Sequence, residues 1–215
     1  MGLSRLQKSM RNTFFELMYE LVTAICAFIL PRLILSHYGS AYNGITQSIS
    51  QFIGCVALLK SGIGSVCRAA LYKPLASSDS RGISEVVNAT QRFMKKIAVV
   101  FSLMALLFAG VYPFLVAEDF SWFFSFSLVL ILSVSTAAQY YVGLPYQMVL
   151  QADQQMYIIS ILNIVATVLN TLLASILITK GAGIHSVKIV SAIAFTIPPV
   201  FYSVYVKKRY SIDPV

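Results

Sequence analysis

The chain has 215 residues, of which 58% are hydrophobic and only 11% are charged. A soluble globule of this size carries about 45–50% apolar and about 25% charged residues, so the composition excludes one and predicts an integral membrane protein. The net charge of +8 does not indicate nucleic acid, which needs basic residues clustered with stacking aromatics on a soluble surface; here the charges flank apolar runs.

Those runs predict six membrane-spanning helices, at about 13–35, 42–66, 97–117, 121–148, 157–179 and 184–206, against a requirement of about 20 helical residues per crossing. No strand is needed, so the expected fold is an all-α polytopic bundle forming one domain over 1–215. Arg5, Lys8 and Arg11 precede the first span, Arg68, Lys73, Arg81, Arg92, Lys95 and Lys96 follow the second, and Lys207, Lys208 and Arg209 follow the sixth. Arg32, Lys180 and Lys188 fall on the opposite side and Lys60 inside a span. By the positive-inside rule both termini are expected in the cytoplasm, with the protein in a bacterial inner membrane.

Met1 to Arg11 leads into an apolar stretch too long for a signal-peptide core, so the first span is expected to stay as an anchor. It carries Asn12, Glu16, Tyr19, Glu20 and Thr23 on one face. Glu16 and Glu20, one turn apart, suit either a proton or cation site or a pair that stays wet at headgroup level. Pro31 and Arg32 close the span, and Arg32 either snorkels to the outer headgroups or projects inward.

The second span is the most informative. Wound as a helix, it gathers Asn43, Gln47, Ser50, Gln51, Gly54, Ser61, Ser65, Arg68 and Tyr72 on one face and Ile45, Ile49, Phe52, Leu59 and Ile63 on the other. A polar stripe of that kind must face protein or a water-filled cavity. After it, 77–96 reads as an amphipathic elbow at the inner membrane surface, with Ile83, Val87 and Met94 turned to the bilayer and Arg81, Arg92, Lys95 and Lys96 to anionic lipid headgroups. Its role is either a plain interfacial connection or substrate gathering.

Span four adds Ser133, Thr136, Gln139, Tyr140, Gly143 and Gln147, with Pro145 interrupting it, and span five adds Asn163, Thr167, Asn170 and Thr171. Small polar residues also glue helices together, but polar faces on spans one, two, four and five favour a shared hydrated cavity over a dry bundle. Enzyme chemistry finds no support: Glu118 and Asp119 sit in a turn too short for a transferase site, and no phosphate-binding loop is present. Cys26, Cys55 and Cys67 have no CxxC spacing and His37 and His185 stand alone, so they are expected to pack, with no metal and no cofactor.

The runs PRLILSHYGSAYNGITQSISQFIG at 31–54, GIGSVCRAALYKPLA at 62–76 and QADQQMYI at 151–158 resemble the first half of bacterial polysaccharide-export flippases of the multidrug, oligosaccharidyl-lipid and polysaccharide exporter superfamily. The resemblance implies one lobe of a two-lobed transporter whose bundles face each other across a central cavity. It implies a lipid-linked oligosaccharide substrate, joined through diphosphate to a polyprenyl chain and flipped to the outer leaflet. Arg68 would receive the diphosphate, Asn43, Gln47, Ser50, Gln51, Ser61 and Ser65 would line the sugar path, and Arg32 would serve the outward-facing state. The chain stops soon after span six, so the second lobe is expected to be absent. A fragment, a split gene product, a homodimer and pairing with a second chain are all compatible with that. The rival expectations are a drug or metabolite exporter of the same superfamily, a non-transporting membrane scaffold and an inert truncated fragment.

Overall fold

The computed structural model describes residues 5–57, 63–116 and 120–212. They form α1 (Arg5–Tyr38), α2 (Ser40–Ala57), α3 (Ile63–Ala76), α4 (Ser80–Leu115), α5 (Trp122–Ala138), a π-helical turn (Gln139–Gly143), α6 (Leu144–Ala152), α7 (Met156–Thr179) and α8 (Ile184–Tyr210). No strand occurs among the described residues, so the fold is all-α. Among the described residues five runs are long and apolar enough to cross a membrane: Leu6–Tyr38, Ser80–Leu115, Trp122–Ala152, Met156–Thr179 and Ile184–Tyr210. This is the architecture of a multi-pass membrane protein.

The expected second span at 42–66 does not stand as one described helix. Its first part is α2, its last residues open α3, and 58–62 lie outside the described residues. Among the described residues five spans therefore qualify; the described part of the second, α2, falls short because the polar stripe lowers its hydropathy.

The helix boundaries have local causes. Gly39 and Gly181 take φ of +90° and +74°, a backbone that side chains rarely adopt, and turn the chain from α1 into α2 and from α7 into α8 at one end of the bundle. At the other end Asp79 caps α4, accepting from the Arg81 and Gly82 backbone N–H groups at 3.1 Å each. Pro145 has no N–H to offer the preceding turn, and the chain before it widens so that the Leu144 N–H reaches back five residues to the Gln139 carbonyl. α7 has no cap from its own side chains and borrows one: Asn12 of α1 accepts from the Tyr157 N–H at 3.1 Å and donates to the Gln154 carbonyl at 2.9 Å.

The segment expected as an elbow, 77–96, is the beginning of a helix that continues without a break through the third span. α4 runs for 36 residues, and Ile83, Val87 and Met94 are buried in the protein core rather than turned to lipid. Further along, Ala98, Ala105 and Ala109 are buried on the same helix. Small side chains there allow close helix approach, which matters in a membrane because packing rather than water exclusion drives association.

α1 packs on α7, α7 on α8, α8 on α5, α5 on α2, and α2 back on α1, so five helices close a ring. α3, α4 and α6 buttress it from outside, with Phe52 of α2 stacked on Phe108 of α4 at 3.7 Å between ring centroids.

Candidate functional site

Inside the ring lies a polar cavity in two connected chambers of about 390 Å³ each. Leu30, Asn170, Lys188 and Phe195 border both. Helical spacing delivers the lining: Asn43, Thr46, Gln47, Ser50, Ile53 and Gly54 recur along one side of α2, while Ile45 and Ile49 of the same helix are buried in the core and border neither chamber. α1 contributes Tyr19, Thr23 and Cys26, α5 and the π turn Ser135, Thr136 and Gln139, and α7 Thr167, Asn170 and Thr171.

Two buried polar atoms in the wall, Thr23 Oγ1 and Asn170 Oδ1, have no hydrogen-bond partner. Buried polar groups ordinarily find partners, so a polar surface with open capacity is suited to a hydroxyl-rich guest. Among the described residues the cation at the cavity is Lys188, which stands between the two chambers. The ion pair found among the described residues is the exposed Arg81–Glu85, at 3.6 Å, so no described carboxylate neutralises Lys188. An ammonium held between helices without a counter-charge attracts an anion strongly, because little water screens it there.

The cavity is sealed at the end carrying the α1–α2 and α7–α8 turns. Ile34, Ala174, Ile178, Ile184 and Val187 form a buried apolar cluster there. Over it Tyr42 meets Phe120 and Phe124 edge-on at 5.0 and 5.7 Å, and Phe124 meets the His185 ring at 4.5 Å. His185 Nε2 lies 2.8 Å from Ser127 Oγ, and the Tyr38 hydroxyl donates to the Ala182 carbonyl across the same closure.

Of the residues singled out in the sequence, Asn43, Gln47 and Ser50 come together in the cavity. Gln51 and Ser65 are exposed and border neither chamber, Arg32 is exposed, and Ser61 lies outside the described residues, as do Lys60, Glu118 and Asp119. Arg68 sits on α3, outside the ring, where its Nη1 donates to Gln151 Oε1 of α6 at 2.9 Å. The straight wheel from 42 to 72 put Arg68 in line with Gln47, whereas α3, which carries Arg68, packs on α4 and α6. Glu16 faces the Ser160 hydroxyl at 3.4 Å in a separate groove with Asn12 and Gln154, and Glu20 is exposed. Neither carboxylate borders the cavity.

Sequence reasoning assigned Lys188 to the outer surface because it stands near a predicted helix end. The available signal was its spacing: Lys188, Ser191 and Phe195 share a face at i, i+3 and i+7, and all three border the cavity. In comparison with known proteins, no family model, no curated protein and no solved structure matches the chain.

Proposed function

We propose that the chain is the N-terminal lobe of a flippase that carries oligosaccharides linked through diphosphate to a polyprenyl lipid across the cytoplasmic membrane. The observation that carries this reading is the cavity itself: hydroxyl and amide groups from α1, α2, α5 and α7 stand around the Lys188 ammonium, which pairs with no carboxylate among the described residues. Amides and hydroxyls suit a sugar, and a cation suits a phosphoryl group that cannot enter hydrocarbon bare. The runs at 31–54, 62–76 and 151–158 support the same lineage by resemblance. A drug exporter would favour an apolar, aromatic cavity, whereas about half of the residues lining this one carry hydroxyl, amide or ammonium groups and Phe195 is the phenylalanine among them.

In this proposal the stripe of α2, continued toward α3, supplies a sixth crossing, and a second lobe or a second copy faces the cavity. The basic end, with Lys8, Arg11, Lys73, Arg81, Arg92 and Lys207 to Arg209, lies in the cytoplasm by the positive-inside rule. The sealed end then faces outward, and the fold represents an inward-facing state. Lys188 replaces Arg68 as the group that holds the diphosphate. The test is Lys188→Gln in cells that rely on this protein for surface polysaccharide: the variant is expected to insert normally, lose surface polymer and accumulate lipid-linked units in the inner leaflet. Undiminished surface polymer would reject the reading.

A further inference from the structure

A second, apolar groove of about 610 Å³ runs along the outside of the ring where α5 meets α8. Its walls are hydrocarbon, including Val134, Ile193, Ile197 and Val200. The Thr196 hydroxyl, the one polar side-chain group in that wall, is turned back onto the Ala192 carbonyl at 2.7 Å. Ile131 and Ala192 border this groove and the polar cavity alike. The partition is therefore one residue thick there, and Ala192 contributes only a methyl group.

Both helices at this partition have interrupted backbone ladders. α5 passes into the π turn Gln139–Gly143, and α8 contains Pro198 and Pro199, which deprive the Ala194 and Phe195 carbonyls of their usual donors. The groove thus lies against two ring helices with interrupted backbones, and Ala192 in the partition is one α-helical turn from Lys188.

We infer that the α5–α8 groove holds the apolar chain of an anionic lipid whose head is drawn to Lys188, and that the seam at Ile131 and Ala192 is where head and chain join. Charge complementarity names the occupant: a cation that no described carboxylate neutralises on one side and a hydrocarbon surface on the other select an amphiphile with an anionic head and an apolar chain. The inference rests on the flippase reading for the identity of that head, and adds the route taken by the chain.

The test uses the 215-residue protein in neutral-lipid nanodiscs with a photoreactive isoprenyl diphosphate, a photoreactive isoprenol of the same length, and inorganic diphosphate as competitor. Cross-links from the diphosphate probe are expected at Val134, Ile193 and Val200, and inorganic diphosphate is expected to reduce them. Lys188→Gln should lower that labelling roughly tenfold, about the loss of one charge-assisted hydrogen bond, while Lys188→Arg retains it. Ile193→Trp, at a position that is 60% exposed and so tolerant of bulk, should block the chain while leaving diphosphate protection of a cysteine at position 50 intact. Equal labelling by the neutral isoprenol, or labelling spread over Leu103, Leu107 and Leu172, would overturn the inference. Specific labelling in a protein that does not support surface polysaccharide would instead overturn the flippase reading and leave the lipid site standing.

Discussion

Gly143 lies against Pro199 so closely that a β-carbon at Gly143 would stand 2.7 Å from the Pro199 Cβ and 3.0 Å from its Cα. Neither atom belongs to a flexible side chain, so the contact cannot relax by a rotamer change. It pins the end of the π turn to the proline pair of α8.

Gly143→Ala should therefore destabilise the protein by about 1–3 kcal/mol, the usual cost of overpacking, read as a lowered midpoint of unfolding in mixed micelles. Gly110→Ala is the control, because a β-carbon there meets nothing within 4 Å, and replacing a helical glycine at an open site should stabilise by about 0.5–1 kcal/mol. Equal effects at the two sites would mean that the π turn and α8 do not touch as described.

Asn12 reaches from α1 to cap α7, a contact spanning 145 positions of sequence. Asn12→Ala should cost about 1–2 kcal/mol, as lost helix caps do. Asn12→Asp should retain part of that, since a carboxylate still accepts from the Tyr157 N–H but no longer donates to the Gln154 carbonyl. Unfolding midpoints of the three proteins, ordered wild type, Asp, Ala, check the arrangement.

Arg68 and Gln151 give a test of coupling between α3 and α6. In a double-mutant cycle of Arg68→Met and Gln151→Leu, the interaction energy should fall near 1.5–3 kcal/mol, typical of a hydrogen bond to a charged group. A stability loss that vanishes when both are replaced would assign Arg68 a positioning role, whereas additive losses would leave its role unexplained by this contact.

Cysteines placed singly at Asn43, Gln47 and Ser50, with Cys26, Cys55 and Cys67 replaced, should react with a membrane-impermeant maleimide roughly tenfold faster than cysteines at Ile45 or Ile49, because thiol reactivity follows access to water. Ile45 and Ile49 are 4% and 0% exposed. Uniformly slow reaction along α2 would mean a dry interior.

The sequence made the helices and much of the α2 stripe legible, because period 3.6 is a local property: Asn43, Gln47 and Ser50 are read off one segment and meet in one cavity. Arg68 was misplaced because its partner, Gln151, stands 83 positions away and no periodicity reveals it. Lys188 was misread for another reason. A lysine within a turn of a helix end satisfies both a headgroup and a cavity, and only the neighbours that α7 and α2 bring to it decide between them. The elbow failed similarly, since an apolar face for lipid and an apolar face for α3 and α6 have the same pattern in sequence.

α4, like α1 with its 34 residues, is longer than a bilayer crossing requires. Its 36 residues amount to about 54 Å of helix, well beyond the roughly 30 Å of hydrocarbon in a bilayer. The excess carries Arg81, Glu85, Arg92, Lys95 and Lys96 at exposed positions, so the charged turns of this helix can stand clear of a hydrocarbon slab that its apolar turns fill. A somewhat thicker membrane would therefore still meet covered backbone along α4 rather than a bare helix end.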